Sequence, residues 1–278
     1  MLAPDPSGGE PPAAPGWTAV LLAGQRPGVD ALAEHFGVPW KALIPIAGSS
    51  MLSRVAHTLL ATPEIGRVIV LAQDPDSLMT GDAAWLAAEP RVGKAVGGMG
   101  IASSIAALFE AGEVEWPVFV TTADNVLLTR EMIAEFLASA QDCDLAVGFG
   151  ERRTIEASYP ATRRTWIKFR GGQYSGANLF AMRNERVASA LALWSLVEQD
   201  RKKALKLVSR FGPALFLRAV TRTIGLAEAM ARAGRRLSLK AKPVVMRAAE
   251  AAIDVDKPAD HRLAEAILNA REHRAPAI

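Results

Sequence analysis

Trp116-Pro-Val-Phe-Val-Thr-Thr122 runs without interruption into Ala123-Asp124-Asn125, and the reading of this stretch decides the fold. Consecutive apolar residues, in place of strict alternation, mark a strand covered on both faces, as in a parallel sheet between two helical layers. Upstream, Trp17 to Ala23 and Arg67 to Ala72 are runs of the same kind, the first ending at Gly24. Helical spacing lies between them at Ser50 to Ala61 and Ile101 to Ala111, so the order is β-α-β-α-β. That alternation implies a three-layer α/β/α, Rossmann-like core, with ligands bound beyond the carboxyl ends of the strands. Asp124 stands at one such end.

Downstream, the pattern predicts a helix over Arg130 to Gln141 and a strand over Asp144 to Phe149. An extended segment through Ile155 and Ser158 and a strand near Thr165 to Phe169 follow. Gly171-Gly172 reads as a hairpin turn that reverses the chain into Tyr174 to Met182, which makes the sheet mixed though mostly parallel. From Glu185 the composition shifts to Ala, Leu, Arg and Lys, with breaks at Gly212-Pro213, Gly225 and Gly234. Short strands at Pro243 to Met246 and Ala252 to Val255 and a helix from Pro258 to Arg271 close the chain. The expected organisation is a disordered tail over 1–16, a core over 17–184, a basic helical insertion over 185–245, and a closing strand and helix of the core over 246–278.

With 278 residues, 50% hydrophobic and 22% charged, the chain can bury one sizeable core. Cys143 is the only cysteine, which excludes an intrachain disulfide or a cysteine zinc site and fits a cytoplasmic protein. The Pro/Gly/Ala-rich opening lacks a basic n-region, and no apolar run approaches the length of about 20 residues needed to span a bilayer. The net charge of +3 is concentrated locally: Arg201, Lys202, Lys203, Lys206, Arg210, Arg218 and Arg222 share a stretch free of acids. Interleaved with Leu205, Phe211 and Leu215, these cations offer either a peripheral membrane contact through 201–222 or a solvated helix face, and no nucleic acid partner is expected.

Three further segments carry candidate chemistry. Leu22-Ala-Gly-Gln-Arg-Pro-Gly28 follows a strand, where backbone N–H groups and Arg26 can meet phosphates, although it matches neither the Walker pattern nor the dinucleotide fingerprint. Lys41-Ala-Leu-Ile-Pro-Ile-Ala-Gly48 leads into the helix that starts near Ser49 or Ser50. Gly97-Gly-Met-Gly-Ile-Ala-Ser-Ser104 opens another helix, with Ser103 also a candidate cap. His35, His57, His261 and His273 have no acid at informative spacing and are assigned to packing or surface.

Together, Leu22 to Gly28, Lys41 to Leu52, Gly97 to Ser104, Thr121 to Asn125, Tyr174-Ser-Gly-Ala-Asn178 and Ile253-Asp-Val-Asp256 resemble the MobA-like nucleotidyltransferases, enzymes of GT-A-like fold. The excursion from Pro27 to Trp40 is longer than the family's usual loop. The resemblance implies a soluble magnesium-dependent enzyme that moves a nucleoside monophosphate from CTP or GTP to a phosphorylated small-molecule or lipid-precursor acceptor. It assigns Leu22, Ala23, Gly24, Gln25, Lys41, Gly97, Gly98, Ser103 and Ser104 to the nucleotide, with Arg26, Lys41 and Asp124 catalytic. Asp124 and Asp256 would hold Mg2+, a hard ion suited to carboxylate oxygens, with Asp254 in reserve. Lys168, Tyr174, Gly176 and Asn178 would face the acceptor. A GT-A-type glycosyltransferase and a non-catalytic nucleotide- or membrane-binding protein are the alternatives. Against the first, no second carboxylate stands beside Asp124, where an Asp-x-Asp motif is expected.

Overall fold

The computed structural model describes residues 16–25, 28–98, 100–199, 218 and 221–274. In chain order its elements are β1 (Trp17–Leu22), α1 (Ala31–His35), β2 (Pro45–Ile46), β3 (Ser49–Ser50), α2 (Met51–Leu60), β4 (Ile65–Ala72), α3 (Pro75–Leu78), β5 (Val92–Val96), α4 (Ile101–Glu110), β6 (Val118–Thr122), α5 (Arg130–Ser139), β7 (Leu145–Glu151), α6 (Arg152–Ser158), β8 (Ile167–Phe169), β9 (Gly172–Met182), α7 (Ala188–Gln199), α8 (Leu226–Arg236), β10 (Ala241–Met246) and α9 (Pro258–Arg274). Short 3-10 turns occur at Lys41–Leu43, Gly81–Ala87, Glu185–Val187 and Ala249–Ala252.

The main sheet runs β10-β7-β9-β6-β1-β4-β5, with β8 paired onto β9. β1 lies between β4 and β6, parallel to both, whereas β9 is antiparallel to β6 and β7. Burial on both faces explains the unbroken apolar runs. Ala19 and Leu21 join the core formed with Met51, Leu52 and Val55 of α2, Ile133 and Phe136 of α5, and Ala264 and Leu268 of α9. Val20 points the other way, into the core formed with Ile105 and Leu108 of α4 and Leu191 of α7. Successive strand side chains alternate between faces, so a strand serving two cores must be apolar throughout.

Three expectations are corrected. The segment through Ile155 and Ser158 is the helix α6: Ile155 is fully buried, and Arg152 pairs with Glu156 one turn on at 2.7 Å. Ala252 to Val255 is not a strand. The preceding turn Ala249–Ala252 packs beneath β7 so closely that a Cβ at Gly150 would stand 2.6 Å from that of Ala252, leaving no space for a ladder. The segment expected as a helical insertion through Val245 returns to the sheet by Ala241, where β10 pairs in parallel with β7. Arg201, Lys202, Lys203, Lys206 and Arg210 lie outside the described residues, as does the 1–16 tail apart from Gly16. Of the remaining cations, Arg218 is paired with Glu228 and Arg222 is exposed. Among the described residues no helix is long and apolar enough to cross a membrane.

Asp144 fastens the junction of β7 and β10. Its carboxylate accepts from Lys240 N at 2.7 Å and from Asn184 Nδ2 at 2.8 Å. The Asn184 and Lys240 hydrogen bonds, with nearby Arg186, hold its pKa below the ordinary carboxylate value. Asp144→Ala is therefore expected to lower stability by about 1–3 kcal/mol at neutral pH in urea unfolding. A depressed folded pKa stabilises above the unfolded value of about 3.9 and is lost as pH falls through the folded one, so the gap between variant and wild type closes in acid.

Candidate active site

A cavity of about 1250 Å3 opens where β1, β4 and β6 end. The chain leaves β1 toward β4 and β5 on one side and then crosses back to β6 on the other, so the connections part at the end of β1 and leave a crevice, the usual ligand position in an open α/β sheet. Its walls include Leu22 to Gln25 beyond β1, Leu71 to Gln73 at the end of β4, and Thr122 to Asp124 beyond β6.

At one end Lys41 Nζ stands 2.6 Å from Asp124 Oδ2 and 2.6 Å from Asp256 Oδ1. Each partner is fixed by its own backbone. Lys41 starts a 3-10 turn, and its N–H donates to Gln25 Oε1 at 3.0 Å. Asp124 ends the buried run of β6, and Val255 N donates to its carbonyl at 3.1 Å, which carries the Asp256 segment to the cavity. Asp260 Oδ2 accepts from Lys257 N at 3.0 Å at the start of α9.

Burial pushes the Asp124 carboxyl above the ordinary carboxylate value; Lys41 opposes the shift and Asp254 adds to it. Burial alone would lower the Lys41 pKa, but the two carboxylates outweigh it and hold the ammonium above its usual value. Little water reaches Asp124 and Lys41, whereas Asp256 stands at the open side. The Asp124 and Lys41 side chains are 18% and 16% exposed, against 58% for Asp256. Asp124 Oδ1 is buried with no hydrogen-bond partner.

A chain of amides joins the loops. Gln25 N donates to Gln73 Oε1 at 3.1 Å, and Gln73 Nε2 donates to Gly98 O at 3.3 Å. Ser104 Oγ accepts from Gly98 N at 2.8 Å and donates to Gly100 O at 2.6 Å, bracing the glycine turn before α4.

Leu22, Ala23, Gly24, Gln25, Lys41, Gly97, Gly98, Ser104, Asp124 and Asp256 thus line one cavity. Ser103 does not; its exposed hydroxyl donates to Gly100 O at 3.1 Å, and Gly100, with no side chain, is the residue at the N-cap of α4. Arg26 lies outside the described residues. None of Lys168, Tyr174, Gly176 and Asn178 lines the cavity. Lys168 is exposed on β8 beyond the sheet's main path, the Tyr174 ring lies over Gly172 and near Phe169, and Gly176 faces open space. Asn178, at φ +52, donates to Asp254 Oδ2 at 3.0 Å. Asp254 is also bound by Arg164, so the reserve ligand is occupied by partners of its own. Of the histidines, His57 stacks on Trp85, and His261 is buried against Phe36 and bonded to Pro45 O at 2.8 Å. Gln73, Arg164, Trp194 and Glu198 were not found by sequence reasoning; only Gln73, directly after a strand, had a positional signal.

The whole architecture recurs in solved structures. A hypothetical transferase from Thermus thermophilus is 29% identical, with a TM-score of 0.72 over 88% of this chain and 99% of its own. A 4-diphosphocytidyl-2C-methyl-D-erythritol synthase from Anaerococcus prevotii shares the fold at 11% identity and TM-score 0.56, covering 91% of this chain and 96% of its own. A CMP:2-keto-3-deoxy-manno-octonic acid synthetase complexed with CTP does so at 14% identity and TM-score 0.54, covering 92% and 99%. None of the curated proteins compared matches the chain. The MobA-like NTP transferase domain model matches residues 19–243, across the sheet and most of the cavity wall, and the chain belongs to that family.

Proposed function

We propose that the chain transfers a nucleoside monophosphate from CTP or GTP to a phosphorylated small-molecule acceptor, with magnesium and with release of pyrophosphate. The observation that carries this reading is the convergence of Lys41, Asp124 and Asp256, separated by 83 and 215 positions from Lys41 in sequence, on one rim of the cavity. A cavity of about 1250 Å3 exceeds the range of roughly 300–1,000 Å3 usual for one small ligand and suits two substrates side by side. The two fold relatives described above carry CMP and diphosphocytidyl in their names, which makes CTP the first triphosphate to test.

The residues fit magnesium. Asp124 Oδ1 is a buried oxygen with no donor, and Mg2+ typically takes one or two carboxylates and completes its shell with water and phosphate oxygens. Asp124 and Asp256 would hold it, and when bound it would supply charge neutralisation at the α-phosphate.

In the reaction an acceptor phosphate oxygen forms a bond to the α-phosphorus while the bond to the bridging oxygen breaks, and the electron pair departs with pyrophosphate. The acceptor phosphate is already ionised at neutral pH, so no general base is required. Lys41 compensates negative charge where the reactants meet, and the braced loops at Gly24 and Gly98 set their alignment, the larger part of catalysis in phosphoryl-type transfer. Incubation with each of the four triphosphates, magnesium and a panel of phosphorylated acceptors, beside a parallel set with nucleotide sugars, tests the reading: CTP or GTP should yield pyrophosphate, whereas sugar transfer from a nucleotide sugar with release of its nucleoside diphosphate would place the chain among glycosyltransferases.

A further inference from the structure

The far end of the cavity from Lys41 has a different chemistry. Its wall is Gly97, Gly98, Gly100 and Ile101 from the turn before α4, with Trp194 and Glu198 from α7. α7 belongs to the segment the sequence set apart as an insertion, yet it packs against the α4 layer, with Leu191 in that core and the Trp194 ring 5.0 Å from Phe180. Glu198 Oε2 accepts from Ala102 N at 3.1 Å, so a carboxylate from α7 is held at the first turn of α4, beside Gly100. Its other oxygen has no donor among the described residues.

No cation among the described residues lines this end. A carboxylate there repels phosphate and accepts N–H donors, while glycines and an indole provide a low wall for a flat ring. The triphosphate therefore belongs at the Lys41 end and the neutral heterocycle at the α7 end. From this we infer that Glu198 reads the base, favouring triphosphates whose base presents an amino group and disfavouring those that present a carbonyl or nothing in its place. Trp194 closes the same wall. The inference rests on the proposed function, because it needs a nucleoside triphosphate in the cavity.

Glu198→Gln separates base reading from a structural role. The glutamine carbonyl oxygen can still accept from Ala102 N, so the cap on α4 persists, but its amide group donates where the carboxylate accepted. Dissociation constants are measured by calorimetry, with magnesium, for CTP against UTP and GTP against ITP, each pair differing in a base amino group. The wild type is expected to favour the amino-bearing member of at least one pair by about tenfold or more, and the variant to reduce that preference to about twofold or less, as expected when a site's hydrogen-bond polarity is reversed. An unchanged preference in Glu198→Gln with an unchanged melting temperature overturns base reading while leaving the transferase proposal standing, as does a wild type that binds triphosphates without preference. A wild type that binds no triphosphate overturns both. Should Glu198→Gln unfold, Trp194→Phe gives an independent test: weaker binding of every triphosphate by a similar factor supports a stacked base on this wall, and unchanged affinities contradict it.

Discussion

Asp124→Asn is expected to reduce turnover by about 10²–10³-fold or more, the usual loss when one preorganised charge is removed from a transition state. Folding stability should stay within about 1 kcal/mol of the wild type, because the asparagine oxygen can still accept from Lys41 Nζ. The second half of the prediction follows from the site's electrostatics. Burial raises the Asp124 pKa, and Asp254 raises it further, so the charge at this position is poorly accommodated by the folded protein. Lys41 is the main compensation, with the Thr122 hydroxyl adding to it, and Lys41 keeps Asp256 as a partner when Asp124 becomes neutral. A residue whose charge is useful in catalysis but unfavourable for folding can lose activity without losing structure. Steady-state pyrophosphate release and thermal unfolding of the same preparation check both halves. A variant with full activity would remove Asp124 from the chemistry.

Lys41→Met is expected to lose turnover by a similar factor, about 10²–10³-fold, but with a different stability signature. Removing the ammonium leaves the Asp124 and Asp256 carboxylates, each now 2.6 Å from Lys41 Nζ, facing one another without compensation, and Asp256 is largely exposed while Asp124 is not. Breaking a fully buried pair costs about 3–5 kcal/mol, and the open mouth of the cavity reduces that to about 1–3 kcal/mol. Magnesium should then stabilise the variant more than the wild type, because it replaces a missing positive charge. Differential scanning with and without magnesium reads this directly; an unaltered melting temperature would mean that the lysine is not the charge that holds the two acids together.

Much of this arrangement was legible in the residues. β1, β4 and β6 are legible because strands that feed two cores are apolar over most of their length, and Gly24 and Asp124 follow two of them at the cavity. Lys41, Asp124 and Asp256 came from the family resemblance, and the fold brings them to one point. What sequence left hidden was polar pairing across long separations. Asn178 looked like a ligand-gripping residue, but at φ +52 its amide is turned to Asp254, a carboxylate 76 positions away. Gln73 and Glu198 sit in no recognisable spacing, since each acts on a neighbouring loop: Gln73 on Gly98, Glu198 on the backbone of Ala102. α6 was missed for a local reason, because seven residues with one fully buried side chain, Ile155, leave too short a period to read. The turn at Ala249–Ala252 depends on how closely small side chains approach β7, which composition alone does not reveal.

Under the proposed function, Asp124 and Asp256 serve a metal that the triphosphate shares. Titration of CTP and GTP into wild type and Asp124→Asn, each with magnesium and again with EDTA, tests it most directly. Magnesium should tighten binding of at least one triphosphate by about tenfold or more in the wild type, equivalent to about 1.4 kcal/mol, and leave the variant's affinity nearly unchanged. An equal magnesium effect in both proteins would place the ion elsewhere and remove Asp124 from its coordination.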